Sequence, residues 1–300
     1  MDFKIKSITI LLVCMLMAIE SMPQEFVLSD FGKKIVYFPL IKVNIYRWEG
    51  THFWKKYETE LYEYDNNENL LSVTFQIWDD SVVNNKSQIK FIYDKNNNII
   101  EAIAYIYDHP MWKKVSRSKY TYRSINYCSK EVHENWKDSS WVLSFIVKHY
   151  YDSNKNLIQK LTQIWENSSY VNNGRNLFEY DENKKLKLTC SQNWKEFKWI
   201  NKYRILDYND KNEKQHYKTK QSWKKSTWSD EEKKILKYDE NKMLHEEILS
   251  FWDDSVWVEG SKWIYNYNSD HRITEAYYLS KGTEIWSKKK KLEYIYKEKQ

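Results

Sequence analysis

The sequence predicts an all-β chain: an elongated, twisted or spiralling antiparallel sheet of tandem β-hairpins, about 18 strands in all, with a closed β-barrel as the alternative. Three observations predict it. Aromatic residues recur at a fixed 29-residue phase along nearly the whole chain. Within each unit, apolar residues alternate with period two, which is the strand period. Both connections in a unit are too short for the dozen or more residues of a parallel crossover, so neighbouring strands run antiparallel.

The repeat is carried by three series. One holds Trp48, Trp78, Trp136, Trp165, Trp194, Trp223 and Trp252, stepping by 29 from Trp78 onward with Tyr107 filling one gap and Lys281 ending it. A second holds Trp54, Trp112, Trp141, Trp199, Trp228, Trp257 and Trp286, with Val83 and Tyr170 in phase. The third is Tyr64, Tyr93, Tyr122, Tyr151, Tyr180, Tyr238, Tyr267 and Tyr296, broken only by Asn209. A self-similar period of this length marks a repeat architecture, in which one supersecondary unit recurs.

The elements follow in chain order. Met1 to Lys6 carries two lysines, and Ile8 to Ile19 is an apolar run too short to span a bilayer comfortably. That layout predicts a secretory signal peptide over residues 1–21 and hence export. Residues 22–40 form a lead-in or cap, and 41–300 the repeats. In each unit Ser87 to Tyr93 is typical of one strand, with Ile89, Phe91 and Tyr93 on one parity. Leu70 to Trp78 and Leu157 to Trp165 are typical of the other, being rich in β-branched residues and bounded by turn signals.

The two turns differ chemically. Tyr-Asp-x-Asn-x-x-Leu, as at Asp65-Asn67, Asp94-Asn96, Asp152-Asn154, Asp181-Asn183 and Asp239-Asn241, offers side chains that cap their own backbone. With only 5 Gly in the chain, Asn is expected to supply the left-handed turn conformations. At the other end Lys137-Asp138-Ser139-Ser140 separates Trp136 from Trp141, so the two indoles should face each other across the hairpin mouth. Such a cross-strand aromatic pair adds about 0.5–1.5 kcal/mol beyond its area burial.

These residues resemble a known group. Tyr-Asp-x-Asn-x-x-Leu followed by a long strand and another Tyr-x-Tyr-Asp resembles the YD, or RHS-type, repeats, and the W-x4-W variant is similar to tandem repeats of secreted Bacteroidetes proteins of unassigned role. The resemblance covers about residues 41–300. It departs in the turn, where Asn97, Lys155 and Lys184 stand in place of the usual Gly. The resemblance implies an antiparallel β-strip outside the cytoplasm, and no catalytic residue, because the repeats are shell and scaffold in that group.

An open strip of this kind has exposed ends, and the Lys288 to Lys291 run then reads as a guard of the last edge strand. A transmembrane barrel is disfavoured, since Glu101, Lys130, Gln159, Glu246 and Glu275 interrupt one parity and Lys160, Glu247 and His245 the other. With 48 basic against 42 acidic side chains spread along the chain, no nucleic-acid footprint stands out.

Catalytic and cofactor chemistry is not expected. The Asp-x-Asn-x-Asn runs lack the Gly and Glu that complete a calcium loop. The seven histidines, His52, His109, His133, His149, His216, His245 and His271, do not repeat and sit at no ligand spacing, so no metal site is expected. Asp79-Asp80 and Asp253-Asp254 read as solvated turns. Cys128 and Cys190 stand at unlike positions two units apart, too far for a disulfide, and are expected to be two buried thiols. The unit over 107–135 is the least regular, with Arg123 where Asp should follow Tyr122, and reads as a decayed repeat or a specialised site.

The expected function is a non-catalytic, secreted or envelope-bound scaffold or adhesin, without cofactor and without a transmembrane helix after signal removal. The alternative is a carbohydrate-binding module. In that reading Trp136, Trp141, Trp165, Trp194, Trp199, Trp223 and Trp228 are ligand-stacking platforms, and the partner is a cell-surface glycan or protein.

Overall fold

The computed structural model describes residues 39–297 apart from 51–52, 125–126, 210–214 and 283–284. The expected signal peptide and residues 22–38 of the lead-in lie outside the described residues. Eighteen strands follow one another: β1 (Leu40–Glu49), β2 (Phe53–Tyr64), β3 (Leu70–Asp79), β4 (Val82–Tyr93), β5 (Ile99–Asp108), β6 (Met111–Ser124), β7 (Tyr127–Lys137), β8 (Ser140–Tyr151), β9 (Leu157–Glu166), β10 (Ser169–Tyr180), β11 (Leu186–Lys195), β12 (Lys198–Asn209), β13 (Gln215–Lys224), β14 (Thr227–Tyr238), β15 (Leu244–Asp253), β16 (Val256–Tyr267), β17 (Ile273–Lys281) and β18 (Trp286–Tyr296).

Each strand pairs antiparallel with its sequence neighbours, and β1 pairs with both β2 and β18. Val43 stands opposite Glu60 on one side and Tyr294 on the other. The sheet is therefore a closed barrel, the alternative of the two sequence-level architectures, and the open spiral is corrected. Closure removes the two rows of unpaired backbone groups that an open sheet would expose. The Lys288 to Lys291 run consequently guards no edge. Lys288 sits over the Trp48 ring and Lys291 pairs with Glu275 at 2.5 Å.

Curvature is written into the repeat as bulges. The register of every mouth-joined hairpin skips one residue on its second strand, and the skipped residues are Tyr57, Lys86, Val115, Ser144, Asn173, Lys202, Glu231, Gly260 and Lys289, again spaced by 29. A bulge bends its strand and increases the local twist, which a sheet of this width needs in order to close. At the Tyr-Asp end a second shift skips Leu71, Ile100, Ser129, Ile158, Lys187, His245 and Thr274. The β12–β13 pair runs without it, in the unit where Asn209 replaces the tyrosine.

The Tyr-Asp turns confirm side-chain capping and correct the role of asparagine. Asp65 Oδ1 accepts from the backbone N–H groups of Asn67 and Asn69, both at 2.8 Å, and Asp94 and Asp239 repeat the pattern. The residue with positive φ is the third after the aspartate: Glu68 (65°), Asn97 (61°), Lys155 (67°), Lys184 (61°) and Lys242 (63°). The asparagine at +2 is thus not the left-handed residue; its N–H is one of those the aspartate carboxylate collects. The tyrosine preceding the aspartate has its own task. Its hydroxyl donates to the carbonyl 23 residues back, Tyr93 to Leu70 at 2.8 Å, Tyr180 to Leu157 at 3.0 Å and Tyr267 to Leu244 at 2.7 Å. This bond ties each hairpin to the one before it and explains why the tyrosine series keeps its phase.

Buried residues lie on both faces. The face carrying the Tyr-Asp tyrosines buries Val43, Ile45, Tyr62, Val73, Ile89, Val147, Leu236 and Ala276, with Tyr265, Ile273 and Ala276 forming a cluster against Leu292 and Tyr294. The tryptophan face buries Ile146 and Ile248 beside Thr59, Ser72, Thr74 and Ser250.

Candidate functional site

The tryptophan pairs form as the spacing predicts, because each pair occupies directly opposed positions at a hairpin mouth. Ring centroids are 4.8 Å apart in Trp136–Trp141, Trp165–Tyr170 and Trp194–Trp199, and 4.9 Å apart in Trp223–Trp228, all edge to face. The two-residue loops that join them carry positive φ at both central residues, as at Asp138 (48°) and Ser139 (61°). That backbone twist matches the right-handed twist of the flanking strands.

The platform reading meets an additional arrangement that sequence reasoning missed. Arg117, Arg175 and Arg204 lay their guanidinium carbons 4.4, 4.4 and 4.7 Å from the ring centres of Trp141, Trp199 and Trp228, each cation standing 24 residues before its indole. Lys114 covers Trp136 at 4.6 Å. The same arginines extend into polar ladders: Arg175 Nε donates to Gln192 at 2.6 Å and Gln192 Nε2 donates to Asn201 at 2.7 Å. Arg204, Gln221 and Asp230 repeat the chain. The signal was present in the sequence as Arg175, Arg204, Lys233 and Lys262 in phase. Trp141, Trp199 and Trp228 are half-buried with a cation over one ring face. Trp165 differs, being 50% exposed.

A second assembly arises where no spacing signalled it. On β7 and β8, Glu131 receives two imidazoles: His149 Nε2 lies 2.6 Å from Oε1 and His133 Nε2 lies 3.1 Å from Oε2. Both histidines are buried. The Cys128 sulfur, Glu131 and His149 offer donor atoms that all lie within 4.8 Å of one another. Lys160 approaches the same carboxylate at 3.9 Å. No linear spacing in the sequence pairs these histidines; His133 and His149 share Glu131 because β7 and β8 are hydrogen-bonded neighbours. Burial would raise the Glu131 carboxyl, but hydrogen bonds from His133 and His149 and the Lys160 charge hold it well below the usual carboxylate range. Burial pushes the Cys128 thiol up to about 11.

Other expected sites fall into place. Asp207 pairs with His216 and with Lys218 at 3.1 Å. Asp80 meets Lys55 at 2.8 Å in an exposed turn, as a solvated loop carboxylate should. Cys128 and Cys190 are both free thiols, and both are half-buried where burial was expected: Cys128 is the second residue of β7, and Cys190 stands in the middle of β11 beside the Asn201 side chain.

No protein-family model matches the chain, and no curated protein matches it. Among solved structures, a porin-like protein from Bacteroides uniformis aligns over 86% of this chain and 98% of its own with 9% identity and a TM-score of 0.43. The TcdB2-TccC3 structure aligns over 77% of this chain and 13% of its own, with 10% identity and a TM-score of 0.40. A Bacteroides fragilis protein of unknown function covers 41% of this chain and 91% of its own, with 15% identity and a TM-score of 0.34.

Proposed function

We propose that the chain is a non-catalytic, exported scaffold barrel of the cell envelope or exterior, standing in water and not in lipid. The observation that carries this reading is the ion-paired charge within the strands on both faces of a closed sheet. The tryptophan face holds Arg117 between Glu101 and Glu134, and Glu246 between Lys237 and Lys262. The tyrosine face holds Glu131 with Lys160, Asp207 with Lys218 and Lys234 with Glu247. A lipid-embedded barrel needs an apolar outer band about 25 Å tall, and a charge at the bilayer midplane costs about 2–4 kcal/mol. Neither face supplies that band. The signal-peptide layout supports export.

Cell fractionation tests the reading. The mature chain, beginning near residue 22, should appear in the medium or be released from envelopes by an alkaline wash. Retention with the membrane pellet after that wash, or intact Met1 on a cytosolic protein, would overturn it. The exposure of Trp165 and of its partner Tyr170, 41% exposed, favours glycan binding as a second reading. Retention on immobilised envelope glycans that Trp165→Ala abolishes would establish that reading as the better one.

A further inference from the structure

We propose that Cys128, Glu131 and His149, with His133 as the neighbouring imidazole, form a binding site for a divalent transition metal of the zinc class.

The donor set is the first support. A thiol, a carboxylate and imidazole nitrogens are the ligand types that four-coordinate zinc takes, at about 2.3 Å from sulfur and about 2.0–2.2 Å from nitrogen and oxygen. Tetrahedral angles then place ligand atoms about 3.5 Å apart, so donors already within 4.8 Å need small side-chain movements to close on an ion. His149 and Glu131, now sharing a hydrogen bond, would exchange that contact for the metal.

Backbone geometry is the second. Residues three apart on a regular strand point to opposite faces. The bulge at Ser129, where Tyr122 pairs with Cys128 and Thr121 with Lys130, removes one step of alternation and brings Cys128 onto the face of Glu131 and His133. Bulges commonly re-aim side chains in this way. His149 enters that face from β8.

The repeat supplies the third. Positions equivalent to Cys128 are Leu70, Ile99, Leu157, Leu186, Gln215, Leu244 and Ile273. Those equivalent to His149 are Tyr62, Phe91, Tyr120, Phe178, Asp207, Leu236, Tyr265 and Tyr294, and those equivalent to His133 are Phe75, Ala104, Thr162, Ser191, Lys220, Leu249 and Tyr278. In a tandem array the residues that the fold requires recur, and these do not. Within these registers Cys and His occur only at Cys128, His133 and His149, gathered around Glu131, and the one other markedly polar spot, Asp207, Gln215 and Lys220, carries neither. The supporting contacts suit ligation as well. Ser118 Oγ lies 2.8 Å from His133 Nδ1 and Phe145 stacks on its ring at 4.1 Å, fixing the ring with Nε2 toward the site. Such outer partners orient ligating histidines and set their tautomer. Lys160, 3.9 Å from Glu131, opposes a cation and must swing aside, which its half-exposed side chain permits.

The test uses the tag-free mature chain. Co(II) titration should give a saturable, one-to-one near-ultraviolet thiolate-to-cobalt band that Zn(II) displaces and Cys128→Ser abolishes. His149→Ala should weaken affinity at least tenfold, whereas His216→Ala, in the self-contained Asp207 pair, should not. On the unaltered chain, Zn(II) should protect Cys128 from iodoacetamide, read by mass spectrometry, while Cys190 stays reactive as the internal reference. Absence of saturable binding, a band that survives Cys128→Ser, or equal protection of both thiols would overturn the proposal. The protection measurement needs no variant, so a misfolded Cys128→Ser chain leaves the proposal open to refutation.

Discussion

Phe197 is the position at which the repeat's turn chemistry can be tested most directly. It is the second central residue of the loop joining β11 to β12, with φ of 59° following Glu196 at 49°, and its side chain is 93% exposed. The left-handed conformation costs a residue with a Cβ about 1–2 kcal/mol, and the exposed ring returns nothing by burial. Phe197→Gly relieves that cost while adding about 0.5–1 kcal/mol of backbone entropy in the unfolded chain. The net expectation is stabilisation by about 0.5–1 kcal/mol, or roughly 1–4 °C in midpoint for a domain of this size. Phe197→Ala separates φ from side chain, since it deletes the same ring without relieving φ and should lie within about 0.5 kcal/mol of the parent. Equilibrium urea unfolding followed by both tryptophan fluorescence and circular dichroism reads the three proteins. A glycine variant no more stable than the alanine variant would refute the reasoning, because the strain assigned to the loop would then be absent or offset.

Two further outcomes are expected. Tyr180→Phe removes the donor to the Leu157 carbonyl, 3.0 Å away, and should cost about 0.5–1.5 kcal/mol in the same unfolding assay, with loss of nothing measurable arguing that the tyrosine series is retained for ring packing alone. Glu131, whose folded carboxyl sits below its unfolded value, contributes stability that is complete above the unfolded pKa and is lost as pH falls through the folded one. Glu131→Gln should therefore be less stable near neutrality and show a flatter stability profile below about pH 4.5, where the unfolded carboxyl titrates; parallel profiles for the two proteins would contradict the assignment.

Much of this molecule was legible in one dimension. The 29-residue phase of Trp and Tyr located the strands, the period-two alternation assigned their type, and short connections made them antiparallel, because each is a local property of a few consecutive residues. The opposed indoles at Trp136 and Trp141 followed from loop length alone. The Asp65 and Asp94 turns were recognised as capping turns, and Asn97, Lys155 and Lys184, which stand in place of the usual Gly, are left-handed residues; the expectation that asparagine supplies this conformation holds at Asn97 and not at Glu68, Lys155, Lys184 or Lys242.

What only the tertiary structure decided is how the hairpins end and which distant residues meet. Whether β18 finds β1 depends on the summed curvature of nine repeated bulges, and a bulge is invisible in sequence because it shifts register by one residue without changing composition. Closure then turned the Lys288 to Lys291 run from a guarded edge into an interior strand. The gathering of Cys128, Glu131, His133 and His149 has the same origin: a skipped residue at Ser129 and a neighbouring strand 16 residues on place on one face groups whose linear spacing suggests no site. Local patterns reveal what each unit is, whereas register and curvature, which accumulate along the sheet, settle what the units become together.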